Sequence, residues 1–198
     1  MKGAVDERAL DQLFRSARSH NGWKDTPVSD VQLRALYEIM KWGPTTSNSQ
    51  PQRILFLRTP AQKERLKPAM SASNQEKTIT APVVAILAYD LKYWEHIERF
   101  YPIVAKSYIE RSRTDAAFTA QTAFRNATLQ AGYFIITARA LGLDCGPMSG
   151  FDNAKVDAEF FPDGQWKSNF LCALGEGDPT KLRQRYGRFE FDDVCKIL

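Results

Sequence analysis

Five polar stretches of the sequence carry side chains that could bind a ligand. Residues 45–50 are six consecutive small hydroxyl or amide residues between Pro44 and Pro51, whereas a surface turn needs only about two or three of them. Asn74 and Lys77 in SNQEK stand three residues apart, a spacing that points both side chains the same way from one helical turn. The other stretches are RSARSHNGW, CGPMSGFD and the basic run TKLRQRYGR. Such guanidinium, hydroxyl and amide groups can hold anions and polar ligand edges.

Each stretch also has an ordinary structural interpretation. Arg15 and Arg18 could interact with the C-terminal end of a helix dipole, SNQEK could begin a helix, and GPMSG could form a simple turn. The loop before Pro51 could cap the helix that precedes it, and the basic run could be a solvated tail. The sequence contains no GxGxxG, Walker or GxSxG motif, so the commonest nucleotide-binding and hydrolase signatures are missing.

The composition indicates a single folded domain over residues 1–198. Hydrophobic residues make up 43% of the chain and charged residues 25%, which is the ordinary globular range. The net charge of +4 admits an anionic ligand or a nucleic acid as a partner. Neither an aromatic platform nor a recognition-helix pattern accompanies the arginines of the basic run, so we expect no nucleic-acid partner.

Cysteine usage and the N-terminus indicate a reducing compartment. Cys145, Cys172 and Cys195 form no CxxC pair and have no histidine at metal-ligand spacing, which argues against a disulfide framework and a metal site. The first residues, MKGAVDERALDQLF, include acidic side chains where a secretory signal would be apolar. No later stretch approaches a membrane span. We expect a cytoplasmic protein without a membrane or metal partner.

The segments between these stretches have the periodicity of helices and strands. Apolar spacing predicts helices over residues 6–19, after Ser29, and over residues 116–141, the longest of them. Shorter helices are predicted over TPAQKERLKPAM and over residues 93–113 and 152–160. The apolar runs RILFLR, APVVAILAYD and NFLCALGEGD are predicted strands, and DCGPMSGFD is predicted to be a turn-rich connection. The continuous apolarity of APVVAILAYD indicates a strand covered on both faces, as in a layered sheet.

Taken in order along the chain, these motifs resemble those of the FMN-dependent nitroreductase family. Within it, HNGW, MKWGPT, EKTITAPV, TAFRN, ALGLDCGPMSGFD and KSNFL are most similar to the RutE-type group, the malonic semialdehyde reductases. The resemblance covers nearly the whole chain. It implies an α+β, three-layer nitroreductase-like fold, with a mixed and mainly antiparallel sheet, flanking helices and a long central helix. It also implies a homodimer with FMN at the subunit interface.

The resemblance implies that separate stretches bind separate parts of FMN. The phosphate is close to a dianion, which guanidinium, hydroxyl and imidazole donors hold well. The residues that match the phosphate-binding motifs are Arg18, Ser19, His20, Arg185 and Arg188. Asn74 and Lys77 match the pair that binds the pyrimidine edge of the ring. A cation near N1 would also raise the reduction potential of the flavin.

The resemblance further implies a loop near flavin N5, where hydride enters and leaves. Pro147 and Met148 would pack beside the ring, and a backbone N–H of Ser149 or Gly150 would approach N5. No side chain need react there, because the cofactor carries the chemistry. We call residues 44–51 the polar loop, and it would reach the flavin of the neighbouring subunit through Pro44, Thr45, Thr46 and Asn48.

The implied activity is a ping-pong reaction in which NADH or NADPH delivers hydride to FMN and the substrate then accepts it. The RutE-type group implies malonic semialdehyde as the substrate, reduced to 3-hydroxypropionate in pyrimidine degradation. The carboxylate of that aldehyde should bind a cation, and the candidates are Arg53, Arg111, Arg113 and Arg125. Two alternatives stay open: a broad-specificity nitroaromatic or quinone reductase, and a flavin-binding protein without turnover.

Overall fold

The computed structural model describes residues 3–198. Its α-helices are α1 (Glu7–Leu10), α2 (Asp30–Met40), α3 (Pro60–Glu64), α4 (Ala72–Ile79), α5 (Ile97–Phe100), α6 (Ala105–Thr114), α7 (Ala116–Ala140), α8 (Asn153–Phe160) and α9 (Phe191–Val194). Its strands are β1 (Gln52–Leu57), β2 (Val83–Asp90), β3 (Asp144–Met148) and β4 (Trp166–Gly175). A π-helical turn, Asp11–Arg15, continues α1.

The strands form one four-stranded sheet in the order β1-β2-β4-β3. The three strand pairs are antiparallel, and an isolated bridge between Ser19 and Cys145 is parallel. The sequence predicted β1, β2 and β4. The prediction of a turn-rich connection was wrong for residues 144–148, which form β3. Because β3 lies at the edge of the sheet, it tolerates Pro147, which has no backbone N–H to donate.

Helices cover both faces of the sheet and give it three layers. On one face, Leu36 and Met40 of α2 and Phe134 of α7 pack against Val83, Ala85 and Leu87 of β2. On the other face, Leu66, Met70 and Val156 pack against Val84, Ile86 and Ala88. Alternate residues of β2 thus enter opposite cores, which explains why nearly the whole strand is apolar.

The central helix α7 is confirmed, and its ends follow from local chemistry. The Asp115 carboxylate caps the N-terminus by accepting from the Phe118 N–H, and Gly142 has the positive φ of 78° that ends helices. Alanines on the inner face of α7 let it lie close to the sheet. Asn126 and Gln130 are also buried on α7. They accept hydrogen bonds from the backbone N–H groups of Thr46, in the polar loop, and of Gln52, at the start of β1.

The segment predicted as one helix over residues 93–113 is interrupted. It consists of α5 and α6, with 3₁₀ turns at Tyr93–His96 and Pro102–Val104. Pro102 explains the break, because proline cannot donate a helical hydrogen bond and clashes with the preceding turn. Within residues 3–198, no helix is both long enough and apolar enough to cross a lipid bilayer.

Candidate functional site

The N-terminal motif, residues 18–23, lies between β3 and α4. The His20 backbone N–H donates to the Cys145 carbonyl at 2.9 Å, next to the bridge between Ser19 and Cys145. The Trp23 indole N–H donates to the Lys77 carbonyl on α4 at 2.9 Å. Two polar stretches that are far apart in sequence, the N-terminal motif and SNQEK, are therefore held together by the Trp23 side chain.

Helix α4 also contacts the loop that follows β3. The Asn74 amide donates to the Gly150 carbonyl at 3.1 Å, and the Thr78 hydroxyl lies 3.5 Å from the Met148 sulfur. Gly150 has no room for a side chain, because an added Cβ would lie 2.5 Å from Asn74 Nδ2 and 2.9 Å from the Ser71 hydroxyl oxygen. Glycine thus permits the close approach of the loop to α4.

Lys77 lies where these segments meet the C-terminal basic run. Its Nζ donates to Asn21 Oδ1 at 3.4 Å. Burial, and next the positive charge of Arg183, lower the pKa of Lys77. The Arg18 guanidinium donates to the Arg183 carbonyl, so the basic run is tied to the N-terminal motif. We refer to Arg18, Asn21, Asn74, Lys77 and Arg183 as the cationic cluster.

The other predicted phosphate-binding residues differ in their placement. Ser19 is exposed next to Arg18. Arg185 donates to the Ala17 carbonyl at 2.6 Å and so lies against the N-terminal motif. Arg188 donates to the carbonyls of Tyr186 and Gly187, in its own segment. The hydrogen bonds within residues 3–198 therefore tie Arg185, but not Arg188, to the N-terminal motif.

The predicted phosphate ligand His20 has a buried ring. Its Nε2 lies 3.3 Å from Asp144 Oδ1, and Asp144 Oδ2 accepts the Gly177 N–H at 2.8 Å. Its Nδ1 is buried and has no hydrogen-bond partner among the described residues. The ring packs so closely on Gly177 that an added Cβ would lie 1.8 Å from Nδ1. This packing explains why residue 177 is a glycine. A contact between the His20 ring and a phosphate stays a prediction.

No hydrogen bond within residues 3–198 joins the polar loop to the cationic cluster. Asn48 donates to the Phe100 carbonyl at 3.3 Å, and Thr46 is held by Asn126. Ser47, Asn48 and Gln50 have positive φ angles of 51°, 48° and 43°. Three such residues in one short loop are costly for side chains with a Cβ, and backbone strain of this kind clusters at functional sites.

A cavity of about 700 Å³ opens beside the loop that follows β3. Its lining includes Tyr89, Phe124, Pro147, Ser149, Asp157 and Asn169, and we call it the Ser149 cavity. Burial, with a smaller contribution from the Asp157 carboxylate, raises the pKa of Tyr89. The cavity combines aromatic walls with neutral and acidic polar groups, and the charged side chain in its lining is the carboxylate of Asp157.

Taken together, these groups can hold a ligand that has an anionic end and a polar ring edge. Guanidinium groups suit a phosphate, the amide of Asn74 and the ammonium of Lys77 suit ring carbonyl and nitrogen atoms, and the backbone near Gly150 can approach a planar group. The sequence did not single out Asn21 or Arg183 as site residues, although both lie in stretches that it identified. Their positions depend on how the chain ends fold back, for which the sequence has no local signal.

Comparison with known proteins identifies relatives of this chain. The sequence profile described as the nitroreductase family matches residues 14–176. A protein from Ralstonia nicotianae, named as a candidate NADH dehydrogenase/NAD(P)H nitroreductase, is 50% identical over 197 residues and covers 98% of each chain. A protein of the same name from Polynucleobacter asymbioticus is 50% identical over 199 residues and covers 100% of each chain.

Solved structures confirm the fold. A candidate nitroreductase in complex with FMN from Exiguobacterium sibiricum superposes with a TM-score of 0.82 and 16% identity, over 100% of this chain and 99% of that chain. A candidate NAD(P)H:FMN oxidoreductase from Staphylococcus epidermidis has a TM-score of 0.82 and 18% identity, with 100% of each chain covered. The predicted α+β, three-layer architecture is therefore confirmed. Together, the profile match and the relatives at 50% identity show that this chain belongs to the nitroreductase family.

Proposed function

We propose that this chain is an FMN-dependent NAD(P)H oxidoreductase. The names of its relatives, which specify an NAD(P)H nitroreductase, and the FMN complex of a protein with the same fold support the proposal. The observation that carries it is the cationic cluster, in which the N-terminal motif, α4 and the basic run converge on Lys77. An anionic cofactor would compensate the positive charges gathered there.

The residues of the cluster would bind different parts of FMN. Arg18, Ser19 and Arg185 would hold the phosphate, since they lie together at the N-terminal motif. Asn74 and Lys77 would bind the pyrimidine edge of the ring. Arg188 would join the phosphate site only if its segment turned toward Arg18, and His20 would do so only through its unpartnered Nδ1.

The chain's own contribution to the reaction would be binding, orientation and electrostatics. Bound FMN would supply hydride acceptor and donor chemistry at N5. The backbone of Ser149 and Gly150, fixed against α4 by Asn74, would orient the ring edge. The charge on Lys77 would favour the negative charge that the cofactor gains on reduction. The Ser149 cavity would admit NADH or NADPH first and the substrate second.

We also propose a homodimer with FMN at the interface. Trp42, Leu129 and Tyr133 are 80%, 42% and 41% exposed, and we call them the apolar patch. Gly43, next to Trp42, packs on the Tyr133 ring, so the patch adjoins the start of the polar loop. A second copy on this patch would bring its Pro44, Thr45, Thr46 and Asn48 toward the first copy. In this arrangement, the strained polar loop of one subunit would contact the FMN that is bound by the other subunit.

The substrate proposed from the resemblance is malonic semialdehyde. Its carboxylate needs a cation, and the positions of the four candidate arginines test whether this chain provides one. Arg53 pairs with the buried Asp90 at 2.6 Å, and the Arg111 guanidinium lies 3.9 Å above the Phe118 ring. Arg113 and Arg125 are exposed. None of the four lines the Ser149 cavity. A carboxylate substrate would therefore take its counter-ion from the partner subunit.

One observation favours a second candidate, the reduction of nitroaromatics or quinones. The Ser149 cavity presents Asp157 and the aromatic rings of Tyr89 and Phe124. Aromatic walls suit a flat ring. The Asp157 carboxylate is paired with Lys167 at 3.7 Å and accepts the Ser168 N–H at 2.7 Å, and the lining itself contains no lysine or arginine to bind an anionic substrate. Neutral electron acceptors would fit this cavity without a further cation.

The test is to purify the protein, measure bound FMN, and mix the holoprotein rapidly with NADH and with NADPH. Bleaching of the flavin absorbance is the expected result. Turnover would then be compared on malonic semialdehyde, a nitroaromatic and a quinone. A protein that neither contains FMN nor takes it up would refute the proposal, and bound FMN that neither nucleotide reduces would leave a flavin-binding protein without turnover.

The role of Lys77 is tested by Lys77→Ala, with Lys67→Ala as the control because Lys67 is exposed and pairs with Glu64. Loss of a charge-assisted hydrogen bond should weaken FMN binding by about 1.5 to 3 kcal/mol and slow flavin reduction. Flavin titration and stopped-flow absorbance measure both effects. Equal affinity in the two variants would show that Lys77 is not a cofactor ligand.

A further inference from the structure

A second cavity lies where β1 ends and β2 begins. Its volume is about 670 Å³, and its lining consists of residues 24–28, 56, 58–60, 62–63 and 80–82. It shares no lining residue with the cationic cluster or with the Ser149 cavity. Nothing in the proposed oxidoreductase function uses this cavity.

Lys63 is the unusual residue of this lining. It is only 6% exposed, and its Nζ donates to the Ala81 carbonyl. No carboxylate within residues 3–198 forms an ion pair with it. An ammonium has three N–H donors. The Ala81 carbonyl accepts from only one of them. Burial lowers the pKa of Lys63, as expected for a desolvated cation without a counter-ion.

The other charged groups of the lining are already compensated or exposed. Lys24 pairs with Glu176, and Arg58 pairs with Asp30 and donates to the Val28 carbonyl at 2.9 Å. Asp25 is exposed and forms no ion pair with Lys63. Lys63 is therefore the cation at this cavity that still lacks an anion, and a buried unpaired charge is costly.

The rest of the wall has an apolar part and a neutral polar part, and the polar part consists of Thr26, Thr59, Gln62 and Thr80. Pro27, Val28, Phe56, Pro60, Ala81 and Pro82 line the cavity. Inorganic phosphate would gain nothing from these groups, whereas an apolar body would bury surface against them. The lining thus combines one uncompensated cation with walls for a small hydrocarbon group.

We propose that this cavity binds a small carboxylate with an apolar body, such as an aryl or short-chain alkyl carboxylate. The Lys63 ammonium binds the carboxylate, and the proline and phenylalanine side chains enclose the body. The site is separate from the flavin chemistry, so it serves as a second ligand site whether or not the protein turns over.

The experiment compares benzoate with benzyl alcohol and inorganic phosphate at constant ionic strength in sodium chloride. Calorimetric titration of the purified holoprotein should give a dissociation constant for benzoate at least tenfold lower than for either other probe. Lys63→Met keeps the length and removes the charge, and it should weaken benzoate binding at least tenfold. Lys67→Met is the matched control and should bind benzoate like the parent.

Benzoate binding that is equal in Lys63→Met and the parent would overturn the proposal, as would phosphate binding as tight as that of benzoate. If Lys63→Met is unstable, a second measurement on the parent protein still tests the site. Nuclear Overhauser contacts from the benzoate ring protons should reach the Val28 methyl groups and the Phe56 ring. Bound benzoate without these contacts would place the ligand elsewhere and refute the site.

Discussion

Lys77 and Asn21 form a hydrogen bond in which only one partner carries a charge. The neutral amide holds the ammonium without cancelling its field, and Arg183 adds a second positive charge nearby. The resemblance to the nitroreductase family implied Asn74 and Lys77 as cofactor-binding residues, and their spacing places both on one helical turn. The sequence could not predict Asn21 or Arg183, since neither has a periodic pattern and each reaches Lys77 only through the fold of a chain end.

The charge at residue 21 should therefore set the balance between oxidised and reduced FMN, given the proposed function. Asn21→Asp would place a carboxylate beside Lys77 and oppose the negative charge gained on reduction. We expect reduced FMN to lose about tenfold in affinity relative to oxidised FMN, which lowers a two-electron potential by about 30 mV. Potentiometric titration of the bound flavin measures this shift.

Gln121→Glu is the matched control for this prediction, because it makes the same change of charge at an exposed position on α7. Its flavin potential should equal that of the parent. If Asn21→Asp weakened the binding of oxidised and reduced FMN equally, the flavin potential would stay constant. Asn21 would then have only a structural role.

At the scale of elements, local chemistry explains most boundaries. Ser29 and Thr59 form capping boxes with Gln32 and Gln62, and the helices α2 and α3 begin where these caps predict. The strand β3 and the break at Pro102 were not predicted, and neither was the short helix α9. β3 was missed because Gly146 and Pro147 are typical of turns, although an edge position tolerates them. The break at Pro102 was missed because apolar and charged residues on either side have mixed periodicity.

The cap of α7 has a measurable contribution to stability. Asp115→Ala removes the carboxylate that accepts the Phe118 N–H at 2.8 Å. Loss of an N-cap costs about 1 kcal/mol, which should lower the thermal midpoint by about 2–4 °C in a chain of this size. Asp192→Ala, at an exposed position in α9, is the control. Equal midpoints for the two variants in a calorimetric scan would contradict the role of the cap.

At the scale of the whole molecule, layering could be predicted from the sequence, whereas assembly could be predicted only from the resemblance. An almost wholly apolar strand, β2, required cover on both faces, and the two cores on either side of the sheet provide it. The apolar patch gave no such signal, because Trp42 is adjacent to a helix end and Leu129 and Tyr133 fit the pattern of an ordinary apolar helix. Exposure of these side chains became visible only in the folded chain.

The proposed homodimer predicts that a charge on the apolar patch will separate the subunits. Leu129→Asp buries a carboxylate in the expected interface, which is costly without a partner. We expect a shift from dimer to monomer at micromolar concentration, together with loss of bound FMN. Light scattering after size-exclusion chromatography measures the mass. Val5→Asp, at a residue that is exposed near the N-terminus, should remain dimeric. A dimeric Leu129→Asp protein would exclude the patch as the interface.

The grip of α7 on the polar loop has a consequence for communication between paired sites. Asn126 and Gln130 stand one turn apart on α7 and bind the backbone N–H groups of Thr46 and Gln52 at 2.8 and 3.0 Å. A shift of α7 along its axis relative to these residues would strain both hydrogen bonds. We therefore expect α7 and the polar loop to move together. In the proposed homodimer, whose interface lies close to α7, FMN binding at one site would then change the affinity of the other site for FMN. Unequal affinities for successive flavins would be the natural signature of that coupling.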